Sequence, residues 1–590
     1  MTANLTSEQQ KFIESEGKVI VKACPGSGKT YSVAKKFLSY LDKWDSSHQG
    51  IAILSFTNVA SDEIYEKIEL LNNYSTGLDY PHFIGTVDSF INEFIVLRYG
   101  YLLTEDRVRP KIALSNNWDI PFKWWRGDCH RNGCIGSFEE FHYGIDGKFY
   151  RDNTLVTCKP NGKSRTLPCQ QYKKMLENNN IIFQNETAHF AYKLLKKFPI
   201  ISEALIDRFP IIIVDEAQDT SEEQMAVFDL LTEAGIKSIF LVGDPDQAIY
   251  EWRDAKPEYF LKKLEDESWK TIELTGNFRS SQNICNATSE FSASLRGVTS
   301  NKAIGTWKNE HEKPILLLTN GNSEHEIVQY FLDKCNDMSI NINADNVAIL
   351  TRGRIHSDTN VLNLWKSNEI ERFSKAIFEW NCGSRKNAIK LASKASYTMF
   401  FGEEVEESIM TEQIQKKIGE FIWREFVIDI LSGAPCIDLP ISNWVNQFSI
   451  YYNDMLDIHN LSSFMKINVS DYFKIKSHDK NSPSFKSVPL IRYFEKKQIG
   501  KYTKSSIHGV KGETYDAVLI NVKKTGKTLT AKFLTEGDLN EELMRIAYVA
   551  MTRPRRLLVI AMPGKNNVKD YPRFSHDNWN YEWTLYNIKK

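Results

Sequence analysis

Two short stretches carry residue types suited to phosphate chemistry. The first is Ala23-Cys24-Pro25-Gly26-Ser27-Gly28-Lys29-Thr30, entered from the apolar run KVIVKA (residues 18–23) and followed by the helix-like stretch Tyr31 to Leu41. A strand, a glycine-rich turn and a helix make a phosphate cradle. Backbone N–H groups and the helix N-terminus face the anion, Lys29 reaches the β- and γ-phosphates, and Thr30 suits a magnesium ion. Gly26, Ser27 and Gly28 would form the cradle itself, and Ala23 stands where the P-loop pattern has its first Gly. The second stretch begins with Ile211-Ile212-Ile213-Val214, an unbroken apolar run typical of a buried parallel strand, and ends in Asp215-Glu216-Ala217-Gln218-Asp219. Carboxylates at the carboxyl end of such a strand lie where open α/β sheets bind ligands. Asp215 can then share the magnesium with Thr30, and Glu216 can polarise an attacking water. Alone, each stretch could be a glycine turn or an exposed acidic turn; together they point to a nucleoside triphosphate.

These residues need parallel strands to hold them, and the chain is long enough to supply several domains. It has 590 residues, with 74 Lys and Arg against 75 Asp and Glu, for a net charge of -1. No global field draws such a chain to a polyanion, so any nucleic acid must meet a local basic groove. An apolar share of 42% with 25% charged residues is that of a globular protein, and 18 Pro with 30 Gly leave no room for long low-complexity tracts. Nine scattered Cys argue for a reducing compartment rather than a disulfide framework. The N-terminus lacks signal-peptide character and no apolar run reaches the about 18 residues of a membrane span, so a cytoplasmic protein with no membrane contact is expected. A further strand, Ile239 to Val242, leads into Gly243-Asp244-Pro245-Asp246-Gln247 and then Ala248-Ile249-Tyr250-Glu251-Trp252-Arg253.

In order along the chain, these strings and six more resemble the motifs of superfamily 1A helicases, the family of UvrD, Rep and PcrA. Leu5-Thr6-Ser7-Glu8-Gln9 is similar to the adenine-reading Q motif, and Phe56-Thr57-Asn58 and Gly85-Thr86-Val87-Asp88-Ser89-Phe90 to DNA-contacting motifs. Gly276-Asn277-Phe278-Arg279-Ser280, His508-Gly509-Val510-Lys511-Gly512-Glu513 and Tyr548-Val549-Ala550-Met551-Thr552-Arg553 resemble the later ones. The resemblance implies an α/β fold with two RecA-like P-loop motor domains, each with an inserted, mainly helical subdomain. Residues 1–97 and 196–280 would form the first motor, 98–195 its insertion, 281–370 and 500–590 the second motor, and 371–499 the second insertion. It implies ATP and Mg2+, with Gln9 and Phe278 at the nucleotide and Lys29, Asp215, Glu216, Gln247, Arg279 and Arg553 as the catalytic set. Gln247 would sense the γ-phosphate and the two arginines would meet it from opposite sides of a cleft. Single-stranded or tailed DNA would be held by Phe56, Thr57, Thr86, Tyr250, Trp252, Arg253 and His508. Aromatics there give stacking faces that tolerate every base.

Spacing agrees with this plan, because 124 residues between Phe90 and Asp215 and 228 between Arg279 and His508 are too many for loops. The basic stretch Lys474 to Lys486 reads as a linker or exposed loop, with a duplex-phosphate contact as the alternative. Only 37 residues follow Arg553, which speaks against a fused nuclease. Three departures bear on the carry-over. Tyr31 stands where the family has a base-packing arginine, Asp88 where it commonly has a histidine, and Glu513 precedes Thr514, the family's glutamate position. Cys129, His130, Cys134, Cys158 and Cys169 share the first insertion without paired CxxC steps, so they read as thiols rather than zinc ligands, as Trp124 and Trp125 read as packing residues.

Two functions compete. One is a translocase moving 3′ to 5′ on single-stranded DNA and unwinding duplex. The other is a regulatory ATPase that senses DNA ends and switches a partner enzyme. Arg208-Phe209-Pro210 to Thr220 and Lys511-Gly512-Glu513-Thr514 are similar to the short UvrD-like helicases encoded beside OLD-family nucleases in Gabija anti-phage systems, which implies a nuclease subunit as partner in a hetero-oligomer.

Overall fold

The computed structural model describes residues 5–71, 80–104, 106–113, 141–151, 154–157, 168–250, 256–295, 301–319, 323–351, 365–381, 385–402, 405, 407–465, 468–475, 489–491, 502–523, 529–564 and 571–583. The chain divides into two compact units, residues 1–355 with 502–590, and residues 356–501.

The larger unit holds two six-stranded parallel sheets. In the first, the order is Lys270–Leu274, Lys18–Ala23, Ser238–Gly243, Ile211–Val214, Ile51–Ser55, Phe83–Thr86. Val19 pairs with both Phe240 and Lys270, and Ile213 with both Phe240 and Ile53, so the phosphate-loop strand and the acidic strand flank Ser238–Gly243. The apolar runs are continuous because both faces are covered. Ile20, Leu54, Ile212, Val214 and Leu241 enter one buried cluster, while Val19, Val21, Ile53, Ile213 and Val242 enter the cluster on the other side. Side-chain alternation along each strand thus feeds two cores.

The second sheet repeats the plan, in the order Thr503–Ser506, Val347–Thr351, Tyr515–Asn521, Pro554–Pro563, Ile315–Thr319, Asn580–Trp583. Leu316, Leu350, Val518 and Ile560 face one cluster; Ile315, Ile349, Leu519 and Val559 face the other. Two parallel sheets carrying helices on both faces constitute the α/β architecture implied by the motifs.

Between the edge strand Phe83–Thr86 and the acidic strand, the described part of the first insertion combines helices Pro168–Asn178 and Thr187–Lys197 with short strands. Lys111–Ala113 pairs with Ile181–Phe183, and Phe141–Tyr143, Phe149–Arg151 and Thr154–Leu155 form an antiparallel sheet. Cys169 is buried there beside Phe141 and Phe149. Cys129, His130, Cys134, Cys158, Trp124 and Trp125 lie outside the described residues, as do residues 476–486 of the basic stretch. Among the described residues no His, Cys, Asp and Glu group forms a metal cluster, and no helix is long and apolar enough to cross a membrane.

The smaller unit is helical in its described residues. Asn368–Asn381, Arg385–Phe401, Glu420–Ser432 and Ile441–Ile458 pack around Trp365, Phe373, Trp444 and Tyr452.

Candidate nucleotide and nucleic-acid site

The turn after Lys18–Ala23 is shaped by two left-handed glycines, Gly26 at φ 73° and Gly28 at φ 75°, with Gly28 as N-cap of the helix Lys29–Leu41. Side chains other than glycine rarely adopt this backbone. Gly26 has a second reason: a Cβ there would lie 2.6 Å from Asn277 Oδ1 and 2.7 Å from Arg279 Cβ. The Phe278 N–H donates to the Gly26 carbonyl at 2.8 Å, which draws the Asn277–Arg279 segment against the loop. Gln9 braces the other side. Its Nε2 donates to the Ser27 carbonyl at 3.2 Å, and its Oε1 accepts from the Thr6 N–H within a reciprocal cap of the helix Ser7–Glu14.

The acidic strand ends in a left-handed turn at Glu216 (φ 52°), uncommon for a non-glycine residue and a form of strain that clusters at functional sites. The turn separates Asp215 from Glu216. Glu216 reaches the Lys29 ammonium at 3.1 Å. Burial alone would lower the Lys29 amine, but Glu216, Asp244 and Asp215 outweigh it and raise it. Burial likewise opposes ionisation of Glu216, yet Lys29 and Lys511 hold it down to about 2. Asp215 is pushed up to about 7 by burial and then by the Glu216 charge. One carboxylate of the pair therefore stays ionised beside the lysine, while the other gains most from a cation.

From the entry to the second sheet's strand Pro554–Pro563 comes Arg553, 2% exposed, whose Nη2 donates to Gln247 Oε1 at 2.7 Å and whose Nε donates to the Val549 carbonyl at 2.8 Å. Gln247 in turn donates to Asp244 at 2.5 Å. Arg279 donates to the Thr552 carbonyl at 3.1 Å. Burial lowers Arg279 to about 9, reinforced by Arg553 and Arg555, and burial lowers Arg553 to about 10. Lys29, Glu216, Gln247, Phe278, Arg279 and Arg553 line one cavity of roughly 320 Å³.

This cavity suits a nucleotide triphosphate on physical grounds. The Ser27 hydroxyl is buried and has no hydrogen-bond partner among the described residues, an orphan that a phosphate oxygen would satisfy. Three guanidinium groups crowd together, and a polyanion would relieve their repulsion. Thr30 lines the cavity at the start of the helix, and Asp215, near enough to raise the Lys29 amine, carries a second oxygen donor of the kind magnesium prefers.

A second face collects aromatic rings. Phe56 and Tyr250 lie 5.0 Å apart at 31°, the His508 ring is 6.4 Å from Tyr250, and the Lys511 ammonium sits 4.6 Å over the Tyr250 ring. Thr57 and Thr86 act locally as caps, accepting from the Ala60 and Ser89 N–H groups at 3.2 and 3.0 Å. Asp88 accepts from Gln224 at 2.7 Å. Trp252 and Arg253 lie outside the described residues. Elsewhere, Lys174, Lys193, Lys196 and Lys197 line a cavity of roughly 660 Å³ with Glu177, Tyr143 and Tyr192, a net basic surface at the end of the first insertion.

Several residues at the cleft carry no role in the sequence reading. Gln218 donates to Glu216 at 2.5 Å and accepts from the Asp244 N–H at 3.0 Å, so it ties the two acidic strand ends together. Asp244 had a readable signal, a carboxylate directly after a buried strand. Arg545, which donates to the Ala248 carbonyl at 2.7 Å, had none, because it lies just before the Tyr548–Arg553 motif in the same helix and outside the quoted string.

Comparison with known proteins agrees with this geometry. The UvrD/REP helicase N-terminal domain family matches residues 5–121 and 156–268. The chain is similar to the Gabija protein GajB of Bacillus cereus (strain VD045), 27% identical over 295 residues, which is 50% of each chain. It is also similar to the ATP-dependent DNA helicase PcrA of Staphylococcus epidermidis, 26% identical over 328 residues, 52% of this chain and 42% of that one. The ATP-dependent DNA helicase Rep of Buchnera aphidicola is 24% identical over 639 aligned positions, covering 94% of this chain and 92% of Rep. The aligned stretch thus spans half or less of the first two relatives. Over residues 5–121 and 156–268, the chain is therefore similar to the UvrD/REP helicase N-terminal domain family.

Proposed function

We propose that the protein is an ATP-driven DNA translocase that moves 3′ to 5′ on single-stranded or tailed DNA and separates duplex. One observation carries this reading: the phosphate loop and acidic turn of one motor and Arg553 of the other line a single cavity, and Lys511, which also lines it, touches the aromatic cluster. The domain limits expected from the sequence are proposed with it.

Lys29 and the loop N–H groups bind the phosphates, and Arg279 and Arg553 place positive charge around the transferring phosphoryl group. Magnesium, held by Thr30 and Asp215, would add charge neutralisation at the phosphate oxygens. Glu216, kept ionised by Lys29, orients a water for attack. Gln247 bonds Arg553 at one end and, through its carbonyl, Lys511 at the other, so it reports the position of the second motor. Phe56, Tyr250, Trp252 and His508 offer faces for bases, with Thr57, Thr86 and Arg253 at the strand, and Gln9 and Phe278 border the nucleotide. The basic cavity on the first insertion supplies the local charge that a chain of net charge -1 needs to hold a polyanion.

A second reading is favoured by the likeness to a Gabija protein: an anti-phage role with an OLD-family nuclease partner, in which hydrolysis switches the partner with little processive unwinding. Strand displacement on 3′-tailed, 5′-tailed and blunt duplexes separates the two. A motor displaces strands from 3′ tails, whereas a switch hydrolyses ATP with DNA and displaces none.

A further inference from the structure

Lys511 is the residue whose surroundings the proposed reaction leaves unexplained. Its ammonium forms an ion pair with Asp219, which is 1% exposed at the end of the acidic strand's turn. The same ammonium donates to the Gln247 carbonyl at 3.0 Å and sits 4.6 Å over the Tyr250 ring. Lys511 also lines the phosphate cavity. One cation from the second motor thus touches the first motor's acidic turn, the residue that bonds Arg553, and the aromatic cluster.

We propose that the Lys511–Asp219 pair is a latch coupling the nucleotide cavity to the aromatic face. This rests on the reading of the chain as a DNA-responsive ATPase, and makes Lys511 a positioning residue within it. A phosphate in the cavity and the Asp219 carboxylate compete for one ammonium, because both lie within reach of the same flexible side chain. When the ammonium turns toward phosphate it leaves Asp219 and the Tyr250 ring, and Tyr250 loses the cation that fixes its face. Its partner ring Phe56, 5.0 Å away, is then free to re-pack around a base. Differential contact of this kind is what linkage between two ligands requires.

The competition has an unusual signature. Removing an aspartate that merely holds structure should weaken nucleotide binding or leave it alone, whereas removing a competitor should strengthen it. The test measures, for the full chain, the affinity for a non-hydrolysable ATP analogue and the ratio of oligo-dT affinities with and without that analogue. Wild type, Asp219→Asn, Lys511→Met and the double variant are compared. The latch predicts that Asp219→Asn binds the analogue several-fold more tightly and that Lys511→Met binds it more weakly. In the double variant, the aspartate change should add nothing. In both single variants, the analogue's effect on oligo-dT affinity should shrink by about 5-fold or more, the lower end of ordinary allosteric coupling. Unchanged or weaker analogue binding in folded Asp219→Asn, or additive effects in the double variant, would overturn the latch. If Asp219→Asn does not fold, the ratio in Lys511→Met decides, and a ratio as large as wild type overturns it. A wild-type protein whose ATP hydrolysis and analogue binding ignore oligo-dT contradicts the functional reading itself.

Discussion

Arg553 is a buried cation and Arg279 a half-buried one, their nearest protein acceptors are mostly carbonyl oxygens, and desolvation depresses both from the usual guanidinium range. A site that keeps such groups dry is built for charge arriving on a ligand. Arg279→Ala and Arg553→Ala should each cut ATP turnover by about 10³-fold with modest loss of nucleotide affinity, because such arginines act on the transition state. Steady-state ATPase rates and analogue affinities check this, and rates within a few-fold of wild type would remove both from the reaction. Lys29→Ala should lose hydrolysis, and Glu216→Gln should bind nucleotide yet lose turnover by about 10²-fold or more. Single-turnover hydrolysis at saturating ATP separates the two, and wild-type turnover in Glu216→Gln would deny it the water. Lys29 and Glu216 were legible because one sits in a glycine turn and the other follows a buried strand, whereas Arg279 and Arg553 were read only from the family resemblance. Gln218 was quoted yet given no role, because its part is to tie Glu216 to Asp244, a contact across two strands that spacing does not reveal.

At the scale of elements, the turn after Lys18–Ala23 and the segment around Asn277 form one packed unit. Gly26→Ala would place a methyl against Asn277 and Arg279 at a backbone angle that alanine resists. The variant should lose turnover more than nucleotide affinity, since what moves is Arg279; equal losses in both would show that the cradle alone was disturbed. The sheet edge carries a proton-sensitive element. His82 Nδ1 accepts the Ile51 N–H at 3.1 Å, so the ring must be neutral there, and burial followed by Arg208 lowers its pKa to about 4. The folded pKa lies below the unfolded value of about 6.5, so acid favours the unfolded chain. Stability from this group is complete above that value and is lost as pH falls toward 4. Urea unfolding at pH 7 and pH 5 should show a smaller acid loss in His82→Gln than in wild type; equal losses would assign the effect elsewhere. The parallel strands themselves were readable as unbroken apolar runs. The short strands of the first insertion were not, because runs of two or three residues such as Thr154–Leu155 and Phe149–Arg151 leave no periodicity to detect.

For the whole molecule, two sheets with a cavity lined from both would make the proposed hydrolysis depend on how the two halves meet, and the aromatic cluster would tie that meeting to the proposed nucleic acid. Charge reversal of Lys193 and Lys196 should weaken DNA binding uniformly across sequences and lower its salt dependence by about one unit per lost phosphate contact. Binding isotherms at several salt concentrations read this directly, and an unchanged slope would remove the basic cavity from the DNA path. The most direct test of the central claim is the rate of ATP hydrolysis by the full chain, titrated with single-stranded DNA. Hydrolysis should rise saturably with DNA, and Lys29→Ala should show none at any DNA concentration. Hydrolysis that is absent, or indifferent to DNA, would contradict the account.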